Sequence, residues 1–463
     1  PQAPRCGAPK TTMVVEAAAE PDGSSGGHGA TPAPAGGAGE ATRASLIHRG
    51  SHVILRDSEG AQKVFWLGAG CKDLRMGRYP PLPVEVVLAA PYGATLRRNE
   101  SGIWERKACQ APQLDASPTA ADGGEDAEAY EHNANLPQDN TAQALSPAEV
   151  RALKGRCSGE DVVKELASNS ATFASKTKFA QEKYLKKKSA KHVQQVTLLR
   201  PTVMELCETY MKQSRGKVCG LRFDYLSSIL CQADVRSGGR YFAVDSANGI
   251  IVAAIAQRLG GVGQVYRAFR GGCSDKALQE LDIGSRREAV HAIPLEVLQS
   301  LDAWSHEWLR LPVEPDTPGS VEEQVRLAGR KERARKRRAE VEDFKTRPVD
   351  GVIIVAGEEE TEFASEALEV GLSRLAPGGR MVVFGQVFQP LAARQGALRA
   401  SGGYVDVRLH QLFTREYQVL PMRTHPVMTS EAMLCEGFVL SATKVTDDGF
   451  GDEDASGGGP APK

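Results

Sequence analysis

Apolar positions along the chain fall into two rhythms. Between 45 and 108, short β-rich runs at 52–57 (HVILRD), 63–68 (KVFWLG), 84–89 (VEVVLA), 94–99 (ATLRRN) and 102–107 (GIWERK) are separated by SEG, PPLP, PYG and ESG. Such runs between turn residues predict a small all-β domain over 44–109, closed as a barrel because closure removes open edges. From 145 to 201 the pattern is helical. Ser146, with Pro147 and Glu149 behind it, is a helix start, Ser158 with Asp161 is a second, and a further helix covers 177–191. From 202 to 445, strand-like runs at 241–244, 264–268, 351–355, 380–384, 404–409, 418–421 and 438–442 alternate with helical stretches, which predicts an α/β domain. The late runs have little helix between them, so an antiparallel pair should close an otherwise parallel sheet.

Composition trims this picture. Residues 1–43, 110–144 and 446–463 are rich in Ala, Gly, Pro, Ser and acid, too poor in apolar surface to offset the entropy of ordering, and are expected to be disordered. The segment 314–348 is densely charged and reads as a protruding helix or a disordered insertion. Because the chain opens on Pro1, Met13 is the expected initiation residue. A net charge of −1 singles out no partner, so the distribution of charge carries more than its sum. Nine cysteines without a C-x-x-C pair point to reduced thiols in an intracellular protein and away from zinc. The longest apolar stretch, 249–256, is far too short to span a bilayer, so no membrane contact is expected.

Candidate chemistry begins at 240–261, RYFAVDSANGIIVAAIAQRLGG. A strand ending in an acid, a small-residue turn and an apolar helix resemble the cofactor-binding opening of class I S-adenosylmethionine-dependent methyltransferases. That opening takes the form (D/E)-x-G-x-G, because bare backbone must approach the ligand. Here Asp245 and Gly249 stand, but Ala247 replaces the first glycine. The acid expected after the second strand to bind the ribose hydroxyls is missing too. Arg267 and Arg270 are there instead, with no carboxylate before Asp275, and a cation accepts no hydrogen bond. After the fourth strand, Ala356-Gly357-Glu358-Glu359-Glu360 replaces the (D/N)-P-P-(Y/F) of amino-methylating enzymes. Asp245, Ala247 and Gly249 therefore form a degenerate turn, kept for folding, and no catalytic or metal-binding residue is assigned.

The positive feature is a lysine row, Lys176, Lys178, Lys183, Lys186, Lys187, Lys188 and Lys191, with Phe179 and Tyr184 interleaved. It suits a phosphate backbone, although a solvated helix face has the same composition. The basic run 330–338 is a solvated face, a nuclear-import patch or an accessory RNA contact. Arg415, Arg423 and His425 flank a late strand end, where RNA contact and a structural role are equally compatible with the spacing.

Three stretches in order, KTKFAQEKYLKKKSAKHVQQVTLLRPT, the 240–261 segment and SGGYVDVRLHQLFTREYQVLPMRTHP, resemble the non-catalytic, RNA-binding subunit of the eukaryotic tRNA (adenine-N1)-methyltransferase. The sequence CEGFVLSATK stands where catalytic relatives have an HTGYL-type ending, without its histidine. The resemblance implies a degenerate class I methyltransferase-like Rossmann domain with a seven-stranded sheet over 202–445, following a small β-barrel domain. It implies a nuclear pseudoenzyme that binds tRNA, in a heterotetramer with two copies of a catalytic subunit. That partner carries S-adenosylmethionine and methylates N1 of the T-loop adenine, position 58. A divergent active RNA methyltransferase and an RNA-binding translation factor are the alternatives.

Overall fold

The computed structural model describes residues 46–77, 79–99, 101–107, 143–176, 178–300, 303–313, 320–419, 424–428, 433–434 and 436–445. The expected disordered segments at 1–43 and 446–463, nearly all of 110–144, and the predicted site residue Arg423 lie outside them.

The N-terminal part is an antiparallel sheet built from β1 (His52–Asp57), β2 (Gln62–Trp66), β3 (Thr95–Arg98), β4 (Trp104–Arg106) and β5 (Gln195–Leu199). Their spatial order is β2-β1-β5-β3-β4. Alternate positions such as Val53 and Leu55, Leu96, and Val196 and Leu198 are buried together with Leu74, Val84, Val87 and Trp104. Three details differ from the sequence expectation. Among the described strands β2 and β4 stand at the two edges and do not pair with each other, so the sheet is open rather than closed as a barrel. The run VEVVLA is a helix, Val84–Val87, because Pro83 starts it and Val84 and Val87 share one buried face. Residues 195–199, expected in a helical linker, form the central strand: Leu198 pairs with Leu55 of β1, and Thr197 with Thr95 of β3.

Three helices connect β4 to β5. In α1 (Pro147–Arg156), Ser146 and Glu149 close a reciprocal capping box with Pro147 in the first turn. In α2 (Gly159–Ser168), Ser158 accepts from the Asp161 amide and gives its hydroxyl to the Asp161 carboxylate at 2.6 Å. The lysine helix α3 (Lys178–His192) runs one residue past its expected end.

The larger sheet contains β6 (Arg240–Asp245), β7 (Gln264–Phe269), β8 (Val290–Pro294), β9 (Val349–Val355), β10 (Leu375–Gly385), β11 (Tyr404–His410) and β12 (Phe438–Lys444). Spatial order is β8-β7-β6-β9-β10-β12-β11. The first five strands are parallel, and β12 lies antiparallel between β10 and β11. Numbered within the sheet this is 3-2-1-4-5-7-6, a doubly wound order whose switch point lies between β6 and β9. One face is covered by α4 (Val203–Gln213), α5 (Phe223–Gln232) and α6 (Ile250–Leu259), which bury Tyr210, Tyr225 and Ile251. The other is covered by α7 (Val321–Thr346), α8 (Thr361–Arg374) and α9 (Phe388–Ala400), which bury Phe344, Leu368 and Leu398.

Of the segment 314–348, residues 314–319 lie outside the described ones, and for the rest the expectation of a protruding helix or a disordered insertion is corrected. Ala334, Val341 and Phe344 of α7 are buried, Phe344 packs on Phe242 and Tyr266, and Arg240 pairs with Asp343. The carboxyl-terminal half of α7 is thus the crossover helix between β8 and β9. Only its first half is a charged projection, with Val321 and Val325 exposed. Three apolar side chains among many charges were too sparse to register as a stripe. Among the described residues, no helix is long and apolar enough to cross a membrane and no group of His, Cys, Asp or Glu is placed to hold a metal ion.

Candidate functional site

The turn at the switch point is built around its own acid. Asp245, 8% exposed, ends β6, and its Oδ1 accepts from the amides of Ala247 at 2.8 Å and Gly249 at 3.2 Å. Its Oδ2 accepts from the Val252 amide at 3.0 Å. The carboxylate therefore satisfies donors that the start of α6 leaves orphaned and favours the positive end of that helix. Asn248 and Gly249 both take positive φ, 58° and 79°. A Cβ on Gly249 would lie 2.6 Å from the Ser274 carbonyl oxygen. Gly249 is needed because the chain after β7 lies against the turn, where the Ala277 amide also donates to the Asn248 carbonyl at 3.1 Å.

Arg267 completes the closure. It is 2% exposed, the largest fully buried side chain of the core. One terminal nitrogen donates to the Asp245 carbonyl at 3.0 Å. The other donates to the Ser274 carbonyl at 2.9 Å and to the Asp275 carboxylate at 3.2 Å. A buried guanidinium is tolerable only with partners of this kind. Arg270 is exposed and ties the end of β7 to its surroundings through Glu296 at 3.4 Å and Glu366 at 2.7 Å.

S-adenosylmethionine needs bare backbone at the turn and a carboxylate after β7. The turn meets Ser274, and Arg267 fills the space between the two strand ends. The residues present do not fit this cofactor. Below the turn, the Tyr210 hydroxyl donates to Glu280 at 2.6 Å. Burial pushes the Tyr210 hydroxyl well above its usual range and raises the Glu280 carboxyl. Beyond β9 and β10 lies a cleft of about 130 Å³ bordered by Ala356, Thr361, Phe384 and Arg394. Gly357, which also borders it, lies close to Cys219: a Cβ there would stand 3.3 Å from the Cys219 sulfur, whose thiol is pushed up to about 12 by burial.

The structure divides the predicted lysine row. Lys183, Lys186, Lys187 and Lys191 are exposed, and among the described residues none of them has an ion-pair partner. Lys176 and Lys188 instead flank Tyr184, their ammonium groups 5.2 and 5.3 Å from its ring centre. Burial lowers the Lys188 pKa, and the neighbouring charges of Lys191, Lys187 and Lys176 lower it further. Lys178 lies in the first turn of α3. Tyr184, expected to interleave with the lysines, points inward, stacking on Phe173 at 5.3 Å and donating to the Leu166 carbonyl at 3.1 Å.

Arg415 and His425 sit on the excursion between β11 and β12, on separate two-stranded ladders. Arg415 is exposed, whereas His425 is half-buried, with its ring nitrogens at 2.9 Å from the Pro426 carbonyl and 3.4 Å from Gln418. Sequence reasoning saw Arg267 only as a missing acid. A lone basic residue inside the apolar strand QVYRAF was the available signal that it is buried and employed.

Residues 46–362 match the family described as Gcd10p family. A protein of Dictyostelium discoideum named tRNA (adenine(58)-N(1))-methyltransferase non-catalytic subunit trm6 is 27% identical over 432 residues, covering 88% of this chain and 80% of its own. A Mus musculus protein named tRNA (adenine(58)-N(1))-methyltransferase non-catalytic subunit TRM6 is 26% identical over 379 residues, covering 69% of this chain and 75% of its own. Among solved structures, a SAM-dependent O-methyltransferase from Thermotoga maritima is 12% identical with a TM-score of 0.44, covering 87% of this chain and 96% of that one.

Proposed function

The chain belongs to the Gcd10p family, and from that premise we propose that it is the non-catalytic, tRNA-binding subunit of a tRNA (adenine-N1)-methyltransferase complex. In this reading a catalytic partner binds S-adenosylmethionine and methylates N1 of adenine 58 in the T-loop. This chain supplies tRNA affinity and assembly, with two copies of each subunit in the complex and a nuclear location.

One observation carries the reading: the Arg267 guanidinium bridges the Asp245 and Ser274 carbonyls, where a cofactor's ribose would need an acceptor. Asp245 and Gly249 motivated the alternative of an active divergent enzyme. Both are accounted for by the fold, one as a helix cap and one as a point of close approach. The lysine helix supports the tRNA part, since unpaired exposed ammonium groups are what a phosphate backbone neutralises. The excursion between β11 and β12 exposes Phe413, Tyr417, Val419 and Met428, apolar surface of the kind a permanent partner covers.

Titration of S-adenosylmethionine into the full chain alone, and into the chain coexpressed with a catalytic subunit, tests this directly. We expect no binding to the chain alone, binding to the complex, and a complex mass of two copies of each. Micromolar binding to the chain alone would overturn the reading.

A further inference from the structure

The last turn of α3 leads into a cleft that no reading above uses. Its walls are the end of β3 with Arg98, the β3–β4 turn with Ser101, the end of α1 with Lys154, and the end of α3 with Lys191. It measures about 450 Å³ and adjoins a second hollow of about 370 Å³ that shares Arg98 and Ser101 and adds Arg97. The one acid on either lining, Glu160, is paired with Arg97 at 2.6 Å. Lys154 and Lys191 are exposed and have no ion-pair partner among the described residues. Arg98 is held in place by its own hydrogen bond to the Gly102 carbonyl at 2.8 Å.

The cleft also continues a track. Lys183, Lys187 and Lys191 recur every four residues, so they share one face of α3 and rise about 6 Å from one to the next. The row ends at the cleft mouth, because Lys191 belongs to both. A protein partner would need an apolar anchor pocket there, and the lining is polar and cationic apart from Tyr79 and Val162.

We infer that this cleft takes a phosphodiester of an RNA strand whose neighbouring phosphates lie along the Lys183–Lys187–Lys191 row, so that the N-terminal sheet is part of the RNA-binding surface. The inference rests on the proposal that α3 binds RNA, and adds a site outside that helix. Direct cationic contact by Lys154 predicts that its removal flattens the salt dependence of binding by one phosphate.

The test is equilibrium binding of a tRNA transcript to the full chain over a salt series. The proteins compared are wild type, Lys154→Ala and the triple Lys186→Ala, Lys187→Ala, Lys188→Ala variant. Ser101 is separately replaced by a photoactivatable benzoylphenylalanine. We expect Lys154→Ala to lower the log–log salt slope by about 0.7 to 0.9, the value of one phosphate contact, and position 101 to crosslink to tRNA. A normal slope in Lys154→Ala, or no crosslink at position 101, with a reduced slope in the triple variant, overturns the cleft and leaves the proposed function standing. Normal slopes in both variants overturn the cleft and the RNA-binding reading together. Polyglutamate displacing tRNA from wild type but not from Lys154→Ala would assign the cleft to an acidic peptide and also overturn the inference.

Discussion

The guanidinium of Arg267 is hydrogen-bonded to the backbone carbonyl of Asp245 at 3.0 Å, so the ends of β6 and β7 are joined to each other across the switch point of the sheet. In a doubly wound fold that crevice is where a ligand sits. Here it is a piece of the core, and its residues should respond to substitution as core residues do.

Replacing Arg267 with Met keeps bulk but leaves the Asp245 and Ser274 carbonyls without this donor. We expect a loss of about 2 to 4 kcal/mol from the buried, charge-assisted bonds, read by chemical denaturation of the full chain, with no cofactor affinity gained. Unchanged stability would show that the side chain is a passenger.

Asp245→Ala removes the acceptor for three amides at the start of α6 and should cost about 2 to 4 kcal/mol. The effect belongs to the isolated chain and precedes any question of catalysis. Thermal unfolding of the lone variant, compared with Asp245→Asn as the milder change, is the measurement.

Gly249→Ala should destabilise by about 1 to 3 kcal/mol, because φ is +79° and the new methyl meets the Ser274 carbonyl at 2.6 Å. The reverse exchange, Ala247→Gly, reinstates the missing glycine at a fully buried methyl and should leave S-adenosylmethionine unbound in titration calorimetry.

Neutralising Lys186, Lys187 and Lys188 together should lower the salt slope of tRNA binding by about two phosphate contacts rather than three. Lys186 and Lys187 face solvent, while Lys188 is partly spent on the Tyr184 ring. A drop worth three contacts, about 2.1 to 2.7 in slope, would place Lys188 on the RNA as well.

Glu280 gives a pH signature. Burial raises its carboxyl, so the folded state holds that proton more tightly than the unfolded chain. The stability gained from it is fully present below the unfolded pKa and is lost as pH rises through the folded one. Glu280→Gln carries no charge and still accepts from Tyr210. The variant should therefore match or exceed wild type at pH 7, with the difference closing as pH falls towards 4, in denaturation midpoints taken across that range.

The sequence was most legible where a strand is buried on both faces. Tyr241 to Val244 and Val352 to Val355 are continuous apolar runs, and the observed strands extend them by a residue or a few. Ser146 was readable because a capping box is local. The 290–294 strand, VHAIP, escaped because its burial comes from packing beside β7 rather than from its own composition. The site divides in the same way. The departures from the cofactor-binding pattern could be read at Ala247 and Arg267, but not the contacts that Arg267 makes there, since it meets Ser274 and Asp275 only once the chain has turned back on itself. The inward packing of Tyr184 was not readable for a related reason: its partners Phe173 and Leu166 lie on other segments.

The placement of β5 has a consequence for how the protein is made. The central strand of the N-terminal sheet is supplied by residues 195–199, almost ninety positions after β4 ends at Arg106. During synthesis, β1 and β3 must leave the ribosome and wait with facing edges unpaired until the lysine helix has followed them out. At roughly 5 to 20 residues per second that is several seconds of exposure, long enough for chaperones or neighbouring nascent chains to compete for those edges. A fragment ending near residue 109 would keep that gap permanently, so the smallest autonomous version of this unit has to extend through Leu199.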